Sequence, residues 1–198
     1  MNKRGKASNI EELPAFSEEK PDVLNAIVET PKNSRNKFSF DPKHKLFKLK
    51  GLLPVGAVFP FDFGFIPSTV ADDEDPMDVL ILMDEPVAVG SLVEVRLIGV
   101  IEAEQTEETE NGKETNRNDR LIAVADVSYN YSEMRSLDDL NSNLLKEIEH
   151  FFVSYNEARG KKFKVLRRNG PKRALELVKE AEKQKRTEEK KSSGKEAA

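Results

Sequence analysis

The chain has 198 residues, with 36 Asp and Glu against 32 Lys and Arg, a formal net charge of −4 and a pI of about 5.5. That length suits one domain with tails, and that charge opposes non-specific nucleic-acid binding, which needs a positive field. The absence of cysteine excludes disulfides, thiol catalysis and cysteine-ligated zinc, and it is compatible with a reducing, cytoplasmic setting.

Charged residues make up 34% and hydrophobic residues 37% of the chain, which describes a packed core under a heavily charged surface. No apolar run is long enough to span a bilayer, so no membrane association is expected. Lys3, Arg4 and Lys6 are basic, but no apolar segment follows them, so they do not read as a secretory signal. His44 and His150 are too few and too far apart for a histidine metal site.

Residues 1–22 are polar and Glu-rich and read as a mobile N-terminal tail. The folded domain is expected over 23–182. Ala26 to Glu29 reads as the first strand, closed by Pro31. Lys37-Phe38-Ser39-Phe40 alternates polar and apolar, as a half-buried strand does. Asp41-Pro42-Lys43 signals a turn, and Lys45 to Leu49 returns as the second arm of a hairpin. The run Phe59 to Pro67 holds four phenylalanines, two further prolines and Gly64, which argues against a helix; the rings read as core.

Asp78 to Met83 is an apolar run that must be buried. Ser91 to Glu102 is expected as a long strand with Val93, Val95 and Leu97 on one face. Thr106 to Asn118 has no apolar anchor and reads as a surface loop or hairpin tip. Leu121 to Val127 is a further strand. Leu144, Leu145, Ile148, Phe151, Phe152 and Tyr155 keep helical spacing, with Asn141, Ser142 or Asn143 as N-cap and Gly160 as C-terminal cap. Lys162 to Val165 is a last strand, and Pro171 opens a second helix with Ala174, Leu175, Val178 and Ala181 on one stripe. From Lys183 the chain has no apolar face and is expected to be disordered through 198. The pattern predicts an α+β chain, mainly β: a small OB-like closed β-barrel with two flanking C-terminal helices.

The chemically informative stretch is Asp72-Asp73-Glu74-Asp75-Pro76-Met77-Asp78. In an extended segment Asp73 and Asp75 project to one side, and a turn at Pro76 brings Asp78 to the same space. Carboxylates gathered at the mouth of a rigid strand are costly unless cations neutralise them, and hard cations with oxygen ligands, Mg²⁺ above all, fit. Solvated acidic loops are the commoner case for such runs. An EF-hand is a poor match, because Met77 and Asp78 occupy its fifth position, which needs a small oxygen ligand, and its sixth, which needs glycine.

Taken together, the acidic loop, the Phe59-Pro60 to Phe65 segment, Ile27-Val28-Glu29 and the His150 to Tyr155 helix resemble, in order and spacing, the soluble family I inorganic pyrophosphatases. The likeness covers about residues 25–182. It implies hydrolysis of pyrophosphate to two phosphates, with Mg²⁺ as cofactor (Mn²⁺ and Zn²⁺ as alternatives) and homo-oligomers as an option. It implies Asp75 as acceptor of the water proton, Asp73, Asp75 and Asp78 as metal ligands, and Glu29, Lys37, Arg120 and Tyr155 as substrate-site residues. A further metal carboxylate falls near residues 102–105; a gapless count lands on Gln105, with Glu104 adjacent and able to substitute.

The chain also departs from the family pattern. Ser39 stands where a glutamate belongs, Gly51 for a phosphate-binding arginine, Phe59 and Phe63 for tyrosines, Asn118 for an aspartate and Asn156 for a lysine. Lys50, Lys161 and Lys162 are neighbours able to restore some charge. Each lost charge-assisted contact costs about 2–4 kcal/mol of transition-state stabilisation, and such losses are not additive. Three readings follow: a metal-dependent pyrophosphatase, a degenerate relative that binds divalent metal or phosphate with little turnover, and an oligonucleotide-binding barrel. The acidic loop opposes the last.

Overall fold

The computed structural model describes residues 10–110 and 112–196, with side chains to residue 191. Its strands are β1 (Leu24–Thr30), β2 (Asn36–Asp41), β3 (Leu46–Leu52), β4 (Asp62–Phe65), β5 (Asp78–Leu82), β6 (Leu92–Thr109), β7 (Gly112–Arg117), β8 (Arg120–Ala125) and β9 (Lys162–Asn169). The helices are α1 (Ser142–Glu157) and α2 (Pro171–Glu196).

Strands β1, β4, β5, β8 and β6 hydrogen-bond in that order, and β6 returns to β1, so five strands close on themselves. All neighbours are antiparallel except β5 and β8. This closure is the expected OB-like barrel. The 18-residue β6 outruns the barrel. Its first half pairs with β1 and β8, and its second half pairs with β7 and β9. Of the two readings of the polar stretch, surface loop or hairpin tip, the hairpin holds, with β6 and β7 paired antiparallel beyond the barrel.

Both faces of the central strands are apolar. Val79, Ile81, Leu121, Ala123, Val93 and Val95 join Ala174, Val178 and Ala181 of α2 in one cluster. Leu80, Leu82, Ile122, Val124 and Ile98 join Leu145, Ile148 and Phe152 of α1 in a second. The near-continuous apolar runs in β5 and β8 follow from this two-sided burial. A bulge between Leu97 and Gly99 shifts the register of β6. Two glycines are required by close approach: a Cβ on Gly64 would lie 1.8 Å from the Ile27 carbonyl oxygen, and one on Gly99 would lie 2.4 Å from Leu137 Cγ.

Residues 10–22 depart from the expected mobile tail. Ala15 is fully buried. The Asn25 N–H donates to the Ala15 carbonyl at 2.9 Å, and the Asn25 side-chain amide donates to the Pro14 carbonyl at 2.8 Å. Residues 1–9, including Lys3, Arg4 and Lys6, lie outside the described residues. The C-terminal expectation is also corrected, because α2 continues through Glu196 instead of ending near residue 182. An ion pair from Arg186 to Glu182, one turn back at 2.7 Å, supports this polar extension.

Candidate active site

The acidic loop leaves β4 through Ile66 and Thr69. Thr69 is buried; its hydroxyl donates to the Ile66 carbonyl at 2.6 Å and accepts the Met77 N–H at 3.0 Å. That clamp fixes both ends of the loop. Within it, the Ala71 N–H donates to the Asp75 carbonyl at 2.8 Å, and the Glu74 N–H donates to the Ala71 carbonyl at 3.0 Å. Glu74 has φ +67°, the left-handed region where small residues, glycine above all, are at ease. Glu74 thus occupies a position where the backbone prefers no side chain.

A cavity of about 320 Å³ opens over this loop. Asp73, Asp75 and Asp78 line it, together with Glu29, Lys37, Arg120 and Tyr155. All of the substrate-site residues proposed from the sequence therefore meet in one space. Glu104 does not. It lies on β6, where adjacent side chains face opposite ways, and it is Gln105 that lines the cavity.

Each polar wall has its own wiring. Glu29 is buried on β1; it accepts the Lys37 ammonium at 3.0 Å and the Phe40 N–H at 2.7 Å, which ties the β2–β3 hairpin to the barrel. Lys37 also lies 4.4 Å from the centre of the Phe63 ring and 5.9 Å from that of Phe59. The phenylalanines at these two positions thus present aromatic faces to a cation. Tyr155, in the last turn of α1, stacks on Phe151 at 5.9 Å and meets Phe59 edge-on at 5.7 Å.

Arg120 is 5% exposed. Its guanidinium donates to Asp78 and to the side-chain oxygen of Asn118 and sits among the rings of Phe63, Phe152 and Phe163. Its Nε is buried with no partner among the described residues, a donor that an oxygen in the cavity would satisfy. The Asn118 amide donates in turn to Gln105 Oε1 at 3.1 Å. Two neutral amides thus line the cavity beside Arg120.

Burial raises the Asp78 carboxyl to about 6, against the pull of Arg120 and Lys37. Asp73 is raised as well, first by burial and then by the neighbouring Asp75 charge. Paired carboxylates that resist ionising beside one another fit a hard divalent cation, whose charge reverses that penalty. Among the described residues no three such side chains are already drawn together as a ligand set, and Asp78 is held by Arg120.

Glu11 and Arg159 carry no signal in the sequence, whereas Lys161 and Asn156 figure there only as a neighbouring charge and a departure. Glu11, from the N-terminal segment, lines the cavity, as do Lys161, paired with Glu107 at 2.6 Å, and Arg159. Asn156 is buried, and its amide donates to the Phe152 carbonyl at 2.8 Å. Behind the loop lies a second cavity of about 330 Å³, reached by Asp73 and Asp78 from one side and by Glu102, Arg117 and Arg173 from the other. Only long-range pairing brings these groups together, and no local motif announces them.

A closed five-stranded barrel with carboxylates and cations converging on one cavity defines an OB-like protein equipped for metal-assisted phosphate chemistry. The sequence pattern of the family described as inorganic pyrophosphatase matches residues 26–186. An inorganic pyrophosphatase of Thermus thermophilus is 34% identical over 174 residues, covering 86% of this chain and 94% of that protein. One from Nostoc is 34% identical over 158 residues, covering 80% and 88%. The crystal structure of the Thermus thermophilus inorganic pyrophosphatase superposes with a TM-score of 0.78 at 32% identity, over 90% of this chain and 99% of that one. The chain belongs to the inorganic pyrophosphatase family.

Proposed function

We propose that this chain hydrolyses pyrophosphate to two phosphates, with Mg²⁺ as the preferred divalent cation, in the cytoplasm. The observation that carries the reading is the single cavity in which Asp73, Asp75 and Asp78 face Lys37, Arg120 and Tyr155. Asp73, Asp75 and Asp78 are the residues that would hold a divalent cation. Such an ion, when bound, neutralises phosphate charge and lowers the pKa of an attacking water.

The side chains supply the rest. Water attacks one phosphorus, a new P–O bond forms, and the bridging P–O bond breaks. Asp75 takes the water proton, which its exposed position on the loop then releases to solvent. Lys37 and Arg120 bind the phosphoryl oxygens, and the buried Arg120 Nε gains the acceptor it lacks. Tyr155 directs its hydroxyl to the leaving phosphate. Glu29 holds Lys37 in place.

Purified protein should release phosphate from pyrophosphate with Mg²⁺, and Asp75→Asn should abolish that release. No release above buffer with Mg²⁺, Mn²⁺ or Zn²⁺ would refute the enzymatic reading. The wall formed by Gln105 and Asn118 supplies amide oxygens but no negative charge. A higher metal requirement than that of a wall built from carboxylates follows from this.

A further inference from the structure

The cavity over the acidic loop takes part of its lining from the N-terminal segment. Ile10–Glu12 forms a single 3₁₀ turn, and Glu11 of that turn lines the cavity together with Asp73, Asp75 and Asp78. Two sets of contacts hold the turn in place. Ile10 and Leu13 pack on Ile27, Phe40 and Phe65. Ser68 donates its N–H to the Glu11 carbonyl at 2.9 Å and its hydroxyl to the Leu13 carbonyl at 2.8 Å. It does so at φ +53°, a left-handed conformation that a serine adopts at a cost and that its surroundings must impose. The fold therefore fixes the backbone of Glu11 beside the cavity.

The side chain is less committed. Other carboxylates lining the cavity have cationic partners: Glu29 has Lys37, Asp78 has Arg120 and Glu107 has Lys161. No hydrogen bond or ion pair among the described residues holds the Glu11 carboxyl. Burial raises that carboxyl, Lys185 of α2 opposes the rise, and the charges of Asp75 and Glu29 add to it. A carboxylate set against like charges on an anchored turn finds its complement in a cation. Ser39, Gln105 and Asn118 line the same cavity with neutral side chains, so a further anionic ligand for an ion at the loop has to come from another element. The buried Arg120 Nε, which has no partner, is a separate sign that this cavity takes a ligand.

We infer that Glu11 supplies a carboxylate oxygen to the divalent cation held by Asp73, Asp75 and Asp78, so that the N-terminal segment is part of the metal site. This rests on the metal-dependent pyrophosphatase reading and deepens it. Metal affinity then depends on a segment remote in sequence from the acidic loop and joined to it through Ser68.

Mn²⁺ binding to the full chain, without pyrophosphate, is measured by calorimetry for the wild type, Glu11→Gln, Glu11→Asp and Glu12→Gln. Glu11→Gln should weaken Mn²⁺ about tenfold. Glu11→Asp keeps the charge and withdraws the oxygens by one methylene, and it should weaken Mn²⁺ about fivefold or more. Glu12→Gln removes an exposed carboxylate from the same turn and should stay within about twofold of the wild type. Thermal melting without metal checks that each variant is folded, and Mn²⁺ should raise the melting temperature of Glu11→Gln less than that of the wild type. Wild-type affinity in Glu11→Gln would overturn the assignment. So would wild-type affinity in Glu11→Asp, because Glu11 would then act through its charge alone, or equal losses in Glu11→Gln and Glu12→Gln. The readout is separate from turnover: a folded wild type that binds Mn²⁺ through Glu11 but releases no phosphate would refute the pyrophosphatase reading and keep the ligand.

Discussion

Asp73, Asp75 and Asp78 owe their joint position to Pro76 and to the Thr69 clamp, which bend the chain so that a strand-start aspartate and two loop aspartates reach one cavity. Their neighbours across the cavity set the metal chemistry. Asn118 and Gln105 are hydrogen-bonded to each other at 3.1 Å, so two oxygen-bearing side chains contribute no charge. Asn118→Asp places a carboxylate beside Arg120 and opposite Asp78. It should tighten Mn²⁺ binding about tenfold, measured by calorimetry; unchanged affinity would mean that this wall does not face the ion. The three loop aspartates were legible because they are close in sequence. Glu104, offered as a substitute for its neighbour Gln105, stays outside the cavity that Gln105 lines, because alternation along β6 depends on a register that only the barrel fixes. Arg159 carried no signal at all, since an isolated surface arginine looks like any other in a sequence.

At the scale of elements, β6 joins the barrel to the outer β7 and β9. Glu102 lies at that junction and is fully buried. Burial opposes its ionisation, yet hydrogen bonds from Arg167 at 3.0 Å and Arg117 at 2.6 Å prevail and lower its carboxyl to about 2. The Asn169 amide donates to its other oxygen at 2.5 Å, and Arg173 of α2 lies 3.7 Å away. Because the folded state holds the carboxyl below its ordinary value of 4.5, its stabilisation is complete above about 4.5 and is lost as pH falls toward 2. A shift of that size corresponds to roughly 3 kcal/mol. Wild type should therefore lose stability in denaturant titrations as pH falls from about 4.5 toward 2, and Glu102→Gln should flatten that loss while lowering stability at pH 7. Identical pH profiles would show that Glu102 does not supply the linkage. The strand pattern was legible in the apolar runs of β5 and β8. A hairpin tip was one of two readings of the polar stretch, but the length of β6 beyond Glu102 was not legible, because its residues there are polar on both faces.

For the molecule as a whole, the N-terminal end of the described chain packs beside the site, where Glu11 lines the cavity. Residues 10–16 run along it. The Ser68 N–H donates to the Glu11 carbonyl at 2.9 Å, and its hydroxyl donates to the Leu13 carbonyl at 2.8 Å, so the segment is anchored to the stretch that leads into the acidic loop. Deleting residues 1–16 should cost roughly 2–3 kcal/mol in chemical denaturation, from the lost burial of Ala15 and Phe16 and these hydrogen bonds. No change would return the segment to the status of a tail. Composition alone suggested a tail, since short polar segments show no periodicity even when their backbone is well bonded. The central claim concerns the cavity over the acidic loop, and its most direct test is phosphate release from Mg-pyrophosphate by wild type and Asp75→Asn side by side. The account predicts metal-dependent release by the wild type and a loss of about a hundredfold or more in the variant. Equal rates in the two proteins, or no release by a folded wild type, would contradict it.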